Sequence, residues 1–388
     1  MKPAGAWPEA GPDALAHSAR LVRLIAERIG AAAGWLSFAD YMDLALYAPG
    51  LGYYAAGARK FGAAGDFVTA PELSPLFAAC LAVQAAEVLA ETGGEVLELG
   101  AGSGRLAVDL MRELARLGRP PERYAILEPS PDLRQRQQAR FAAEAPEWLD
   151  RVCWLDRLPE RITGLVLGNE VLDALPVHLV HWQGGQLFER GVVLAGAGAA
   201  FAWQDRPLAG STLAEAARNL PVAAADYLSE VGLAAPALVG SLAERLVHGM
   251  LLFIDYGFPR AEYYHRDRAT GTLMCHYRHR AFDDPFYLPG LVDITAHVDF
   301  TAIADAALEA GLEVPGYTSQ AHFLINCGLL ERLHALEPGS LGYIKHTAQV
   351  QKLIQPSEMG ELFKVIAMSK GDLPAPVGFL HGDKRHTL

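Results

Sequence analysis

The chain has 388 residues, 51% of them hydrophobic, with a formal net charge of −12 at neutral pH. That size and apolar content suffice for one large domain with insertions, or for two domains. The acidic balance argues against nucleic acid as a partner, because phosphate binding needs a basic face.

The four cysteines, Cys80, Cys153, Cys275 and Cys327, are too dispersed for a zinc site or a disulfide framework, and a reducing cytoplasm is the simplest compartment. Glu9 and Asp13 precede any sustained apolar run, unlike a signal peptide. No uncharged apolar segment reaches the roughly 18 residues of a membrane helix. Apolar residues at helical spacing predict an amphipathic helix over Asp13–Ile29, and Ser37–Leu46 reads as a second, short helix. A turn-rich stretch follows, then Gly65-Asp-Phe-Val-Thr-Ala-Pro-Glu-Leu-Ser-Pro75. There Thr69 and Glu72 have capping-box spacing ahead of a long helix from about Pro71 to Glu91.

Beyond residue 92 strands and helices alternate. Strands are expected at Glu95–Leu99, Arg123–Glu128, Val152–Leu155, Leu165–Asn169 and Met250–Asp255, with a late pair at Leu312–Ser319 and Leu362–Ser369. Between the fourth and fifth, short strands at Val177–Trp182, Leu187–Val193 and Ala200–Trp203 and a helical stretch from Ser211 to Val247 read as an insertion. An irregular region rich in Arg, His and Tyr follows Asp255 to about Gly290, and a loop that long is more often functional than idle. Helices are expected at Phe300–Ala310 and between Gln320 and Ile354. The expected divisions are an N-terminal helical region over 1–92, a core over 93–176 and 248–370, an inserted α+β subdomain over 177–247, and a tail over 371–388.

The most informative stretch is Glu95-Val-Leu-Glu-Leu-Gly-Ala-Gly-Ser-Gly104. An apolar run suited to a buried parallel strand breaks into three glycines, and a helical pattern starts at Arg105. The free N–H groups of that helix would face a ligand at the carboxyl end of the strand. A dinucleotide site usually has G-x-G-x-x-G, whereas Gly100, Gly102 and Gly104 form G-x-G-x-G. Glu98 would repel a pyrophosphate but could hold a cationic amino group. S-adenosyl-L-methionine (SAM), with its ammonium, sulfonium and ribose diol, fits better than NAD. Glu128 ends the next strand, where a carboxylate can accept from both ribose hydroxyls; Ser130 and Pro131 open the following helix. Asp156 is a candidate for the adenine amino group, with a plain turn role as the alternative. Asp66 and Thr69 are candidates to cover the methionine end. The expected fold is therefore α/β, a class I (Rossmann-like) SAM-dependent methyltransferase with a seven-stranded sheet.

Several motifs together resemble one family: Gly65–Glu72, Glu98–Gly104, Gly168-Asn-Glu-Val-Leu-Asp-Ala-Leu-Pro176, Phe253-Ile-Asp-Tyr-Gly257, Gly271-Thr-Leu273 and Asp293-Ile-Thr-Ala-His-Val-Asp-Phe300. The chain is similar to the MidA-type SAM-dependent methyltransferases from about Phe38 to Lys370. Mitochondrial members of that family are assembly factors of respiratory complex I that dimethylate an arginine of a core subunit. The resemblance implies a protein arginine methyltransferase forming symmetric dimethylarginine, with a protein substrate such as a complex I subunit. It implies a cytoplasmic location in a bacterium and the mitochondrial matrix in a eukaryote. No membrane insertion is expected, and a homodimer is compatible with the chain.

A guanidinium acceptor has a pKa of about 12.5 or more, so it must be oriented and must lose a proton. Carboxylates suit both tasks. Glu170 is the expected guanidinium clamp, with Asp173 as second carboxylate and Asn169 beside them, all following the fourth strand at the cofactor edge of the sheet. The alternative for Asp173 is a helix cap, and for Glu170 a structural Arg partner. Asp255, Asp293 and Asp299 are further polar groups, and His297 could relay the released proton. No metal is expected, since His265, His276 and His279 fit no zinc spacing. Three other readings remain open on the residues: a small-molecule methyltransferase, which would need a closed apolar pocket; a non-catalytic SAM-binding assembly protein; and a nicotinamide oxidoreductase, against which the glycine spacing counts.

Overall fold

The structure, a computed structural model, describes residues 10–56, 69–196 and 200–388. The chain forms two compact units: Met1–Phe67, Pro176–Val231 and Ala269–Ala296 in the first, and Val68–Leu175, Gly232–Arg268 and His297–Leu388 in the second.

The second unit is built on one twisted sheet. Its strands in chain order are β1 Glu95–Leu99, β2 Tyr124–Leu127, β3 Val152–Leu155, β4 Ile162–Asn169, β5 Leu246–Phe258, β6 Glu313–Ser319 and β7 Phe363–Lys370. Their spatial order is β6-β7-β5-β4-β1-β2-β3. β7 runs antiparallel to β5 and β6, and the other pairings are parallel. The two-residue strand Val298–Asp299 extends the sheet beside the end of β5.

Apolar residues on both faces of each central strand make this a sheet buried from two sides. Alternate side chains feed alternate cores. Val96, Tyr124, Ile126, Leu167 and Leu252 pack with residues of the helices Pro75–Thr92 and Arg105–Arg116. Leu97, Leu99, Ala125, Val166 and Phe253 pack with the helices Ala234–Arg245 and Phe300–Glu309. Pro75–Thr92 is long and apolar enough by composition to cross a membrane. In this fold its Phe77, Cys80, Leu81 and Val88 are core residues.

At the amino edge of the sheet, Glu95, Gly164 and Gly249 lie side by side on three strands. Gly164 (φ +125°) and Gly249 (φ +145°) occupy backbone conformations that L side chains rarely adopt. A Cβ on Gly164 would lie 2.1 Å from the Glu95 carbonyl oxygen, and one on Gly249 1.9 Å from that of Gly164. The C-terminal segment is strapped along the edge strand β6: the Lys384 amide donates to the Tyr317 carbonyl (2.6 Å), Thr318 Oγ1 donates to the Gly382 carbonyl (2.6 Å), and Phe379 packs on Phe323. This covers backbone groups that an exposed edge would offer to another chain.

In the first unit the helices Pro12–Ala31 and Phe38–Tyr47 bury Leu21, Ile25, Ile29, Tyr41, Met42 and Leu46 with Leu179, Val192, Cys275 and Ile294. Ser37 caps the second helix by accepting from the Asp40 amide at 3.0 Å. An antiparallel sheet holds Leu36–Ser37, His178–Gln183, Gln186–Ala195, Ala200–Pro207 and Asp226–Val231. A smaller one holds Met274–Tyr277, Arg280–Phe282 and Asp293–Thr295.

Three expected elements differ. The stretch Ser211–Val247 is not one helical run: it contains the helix Thr212–Arg218, the strand Asp226–Val231 and the helix Ala234–Arg245. The strand hides its character because Ser229 and Glu230 are buried polar residues, with Glu230 accepting from the Thr272 and Leu273 amides. The long helix is two pieces, Ala70–Leu73 and Pro75–Thr92, since Ser74 caps the second piece by accepting from the Leu76 amide (3.3 Å) and Pro75 occupies its start. The irregular region after Asp255 contains the short helix Arg260–Tyr263 and two of the strands of the smaller sheet.

Replacing Gly164 by Ala should lower stability by about 3 kcal/mol or more, because backbone must move to admit the methyl group. Gly240→Ala, in a helix with open space around it, should instead raise stability by about 0.5–1 kcal/mol. Denaturant midpoints for the two variants check this; equal midpoints would refute the steric argument.

Candidate active site

The glycine loop connects β1 to the helix Arg105–Arg116, and all three glycines are left-handed, with φ of +60° at Gly100, +53° at Gly102 and +78° at Gly104. Only glycine takes these values repeatedly without strain. The result is a tight backbone cradle at a helix N-terminus, bare of side chains at Gly100, Gly102 and Gly104. A Cβ on Gly100 would touch Val171 Cγ2 at 3.6 Å, so the loop lies directly against the turn that follows β4.

Glu98 and Glu128 lie beside this cradle and are buried. Tyr124 donates its hydroxyl hydrogen to Glu98 Oε2 at 2.7 Å. Burial raises the Glu98 carboxyl to about 7; the Tyr124 hydrogen bond opposes the rise and the charge of Glu128 adds to it. Glu128 is oriented by two donors, the Ser130 amide to Oε1 and Gln137 Nε2 to Oε2, each at 3.0 Å. Gln137 Nε2 also donates to the Gly102 carbonyl (3.0 Å), and its Oε1 accepts from Trp154 Nε1 (2.9 Å). Gln137 thus ties the glycine loop to the Glu128 carboxylate. Nothing in the motif spelling of the sequence pointed to it; its helical spacing to Ser130 was the available signal.

Asp156 accepts from Arg134 at 2.7 Å, and the same guanidinium bonds the carbonyls of Glu128 and Leu155. Its carboxylate is thus engaged in an exposed ion pair that closes the turn after β3. Thr69 precedes the helix Ala70–Leu73 but makes no side-chain cap; Glu72 instead accepts from the Ser103 hydroxyl in the glycine loop. The expected capping box is therefore absent. Asp66 lies outside the described residues.

The acceptor-side candidates gather at the carboxyl ends of β4 and β5. Ile254 pairs with Asn169, and the Ile254 carbonyl accepts the Glu170 amide at 2.9 Å. Glu170 is left-handed (φ +53°), an uncommon state for a non-glycine residue that often marks functional backbone. Asn169 Nδ2 donates to Glu170 Oε1 at 3.0 Å, while Asn169 Oδ1 is buried with no hydrogen-bond partner. The turn is held by Asp255, whose Oδ2 accepts from the amides of Val171 (3.1 Å), Leu172 (2.8 Å) and Asp173 (3.3 Å). Asp255 organises the backbone that presents Glu170 and Asp173, a role its sequence position at a strand end did not reveal.

Asp173 is buried, and burial lifts its carboxyl to about 6 against a hydrogen bond from Tyr256. Asp255 stands well above the usual carboxylate range, from burial first and then from the charges of Asp173 and Glu170. His297 stacks on Phe258 and meets Tyr256 edge-on, both with centroids 5.2 Å apart, so it belongs to this end of the sheet. Asp299 does not serve the site: it caps the helix Phe300–Glu309 and pairs with Arg260. Asp293 belongs to the first unit, where it accepts from the Tyr54 hydroxyl at 3.0 Å.

This strand order, with a glycine cradle after β1 and an acidic residue, Glu128, directly after β2, defines a class I methyltransferase fold. A family model described as "Putative S-adenosyl-L-methionine-dependent methyltransferase" matches residues 80–318. The chain belongs to that family and is a SAM-dependent methyltransferase. It is 51% identical to a Burkholderia thailandensis protein crystallised with S-adenosyl-homocysteine, with a TM-score of 0.95 over 99% of this chain and all of that one. A native crystal structure from the same organism gives 50% identity and a TM-score of 0.92, again over 99% of this chain and 100% of that one. Among curated proteins, the Drosophila melanogaster protein arginine methyltransferase NDUFAF7 homolog, mitochondrial, is 30% identical over 97% of this chain and 90% of its own length. The Caenorhabditis elegans homolog is 28% identical over 95% and 89%.

The residues fit the cofactor. The loop has no Cβ at Gly100, Gly102 and Gly104, and Glu98, at the end of the strand that leads into it, is hydrogen-bonded by the Tyr124 hydroxyl. A bound ammonium would favour its ionised form. Folding without ligand protonates Glu98 between its ordinary 4.5 and about 7. The group therefore weakens stability as pH rises through that window, by an amount of order 3 kcal/mol when complete. Glu98→Gln should accordingly raise the melting temperature of the ligand-free protein at about pH 8. In the unsubstituted protein, calorimetric affinity for S-adenosyl-homocysteine should rise from about pH 6 to about pH 8, and that rise should vanish in the variant. Tighter binding at the lower pH would contradict the assignment.

Proposed function

We propose that the protein methylates an arginine of a protein substrate, forming symmetric dimethylarginine on a respiratory complex I subunit or a similar protein. The observation that carries the reading is the pair of carboxylates Glu170 and Asp173 on the turn after β4, which Asp255 of β5 holds through three backbone amides beside the glycine loop. The names of the NDUFAF7 relatives support the arginine acceptor.

SAM supplies an electrophilic methyl group on a sulfonium. The chain's own residues must then align a guanidinium nitrogen with it, and alignment can contribute about 7–11 kcal/mol to the barrier reduction. Glu170 is the guanidinium clamp and Asp173 the second carboxylate, while Asn169 fixes Glu170 and offers its free carbonyl oxygen to a guanidinium N–H. Transfer leaves one proton to remove from the acceptor nitrogen. Asp173, with its carboxyl near 6, is matched to accept that proton near neutral pH, and Tyr256 and His297 lead away from it. The carboxylates favour a cationic acceptor over a neutral hydroxyl. In a bacterium the cytoplasm is the place of action, and in a eukaryote the mitochondrial matrix.

Incubation with tritiated SAM and an extract of cells lacking the gene tests this directly. Acid hydrolysis should return the label as symmetric dimethylarginine. Label confined to small molecules, or none on arginine while S-adenosyl-homocysteine still binds, would reject the reading. Glu170→Gln should lower transfer on the order of 100-fold and leave S-adenosyl-homocysteine affinity within about threefold.

A further inference from the structure

The Gly65–Glu72 motif is not accounted for by donor-loop backbone or acceptor carboxylates, and its last residue makes a specific contact. Glu72 sits in the four-residue helix Ala70–Leu73. An acidic residue there normally belongs to a capping box, but the Thr69 side chain makes no cap. The Glu72 carboxylate instead reaches 31 residues along the chain to accept from the Ser103 hydroxyl.

Ser103 lies between two left-handed glycines, Gly102 and Gly104. Its Oγ also accepts from the Arg105 amide at 3.3 Å, the first free N–H of the helix Arg105–Arg116. Gly104 at the N-cap has no side chain to do this. The charge of Glu72 is balanced by neighbours that are themselves fixed. Arg140 stands 3.9 Å from it, and Arg105, which also acts on Glu72 electrostatically, is bound to Glu144 by two hydrogen bonds of 2.8 and 3.0 Å.

We propose that Glu72 is a positioning residue for SAM: through the Ser103 hydroxyl it locks the glycine loop and the first turn of the following helix in the ligand-ready conformation. The segment Ala101–Gly104 is anchored in the core at Ala101, but Gly102 and Ser103 beyond it are only partly buried. Left-handed glycines carry the largest conformational entropy to lose on ordering. Two side chains restrain it from outside, Gln137 at the Gly102 carbonyl and Glu72 at Ser103. Ordering the loop in advance removes that loss from the binding step. Glu72 touches the loop rather than the ligand, and its effect is therefore on affinity for the donor.

Calorimetry with S-adenosyl-homocysteine on the full chain tests this with four variants: Glu72→Ala, Glu72→Gln, Ser103→Ala and the double variant Glu72→Ala/Ser103→Ala. Glu72→Ala and Ser103→Ala should each weaken binding about tenfold, as loss of one hydrogen bond to a charged group does. The double variant should bind within about twofold of Ser103→Ala, because that change already removes the Glu72–Ser103 bond along with the acceptor of the Arg105 amide. Glu72→Gln, whose amide oxygen still accepts from Ser103, should stay within about threefold of the unsubstituted protein. An effect of Ser103→Ala below about twofold, or single effects that multiply in the double variant, would overturn the proposal. Ser103→Ala removes only one loop oxygen. It and Glu72→Gln still decide the matter if Glu72→Ala melts below the assay temperature.

Discussion

Strand β4 is hydrogen-bonded between β1 and β5, and that pairing fixes where chemistry can occur. Leu99 pairs with Gly168 and Asn169 with Ile254, so the glycine loop, the Glu170 turn and Asp255 emerge together at one edge. β1 leads to β2 and β3 on one side while β4 leads to β5 on the other, which makes their boundary the crevice of the sheet. The close approach depends on glycine. At Gly164 and Gly249 a side chain would collide with neighbouring backbone, and at Gly168 with the ring of Phe253.

Electrostatics at that edge follows from burial. Glu98, Asp173 and Asp255 are withdrawn from water, and hydrogen bonds from Tyr124, Tyr256 and backbone amides stabilise them in place of cations. An ionised carboxylate in such surroundings is costly unless a positive partner arrives. The family's donor brings an ammonium and a sulfonium, and the proposed acceptor brings a guanidinium. The same burial that disfavours ionised carboxylates in the ligand-free site favours a cation that binds beside them.

Much of this was legible in the sequence, for identifiable reasons. A buried parallel strand writes itself as a short apolar run, and the left-handed loop can be spelled only with glycine, so β1 and Gly100–Gly104 were readable. The placement of Glu128 and of Asn169–Asp173 at the carboxyl ends of β2 and β4 was readable because a short apolar run marks where a buried strand stops. The strand Asp226–Val231 was not, since Glu230 is buried for a loop contact that local pattern cannot express. Thr69 and Glu72 had capping-box spacing, yet Glu72 bonds Ser103, because a tertiary partner outcompeted the local one. Asp255 read as a further polar group within reach of the crevice; only the fold shows its oxygen taking three amide hydrogens from a segment more than eighty residues away. Partners distant in sequence leave no periodic trace, and the tail that straps β6 was unreadable for the same reason.

In the proposed site the Glu170–Asp173 turn faces the methyl donor. A crystal structure of this protein with S-adenosyl-homocysteine bound tests it most directly. The homocysteine amine should lie beside Glu98, the ribose hydroxyls on Glu128, and the sulfur should turn toward an open space bordered by Glu170 and Asp173. A sulfur directed away from that turn, with Glu170 closed off by a structural partner, would contradict it.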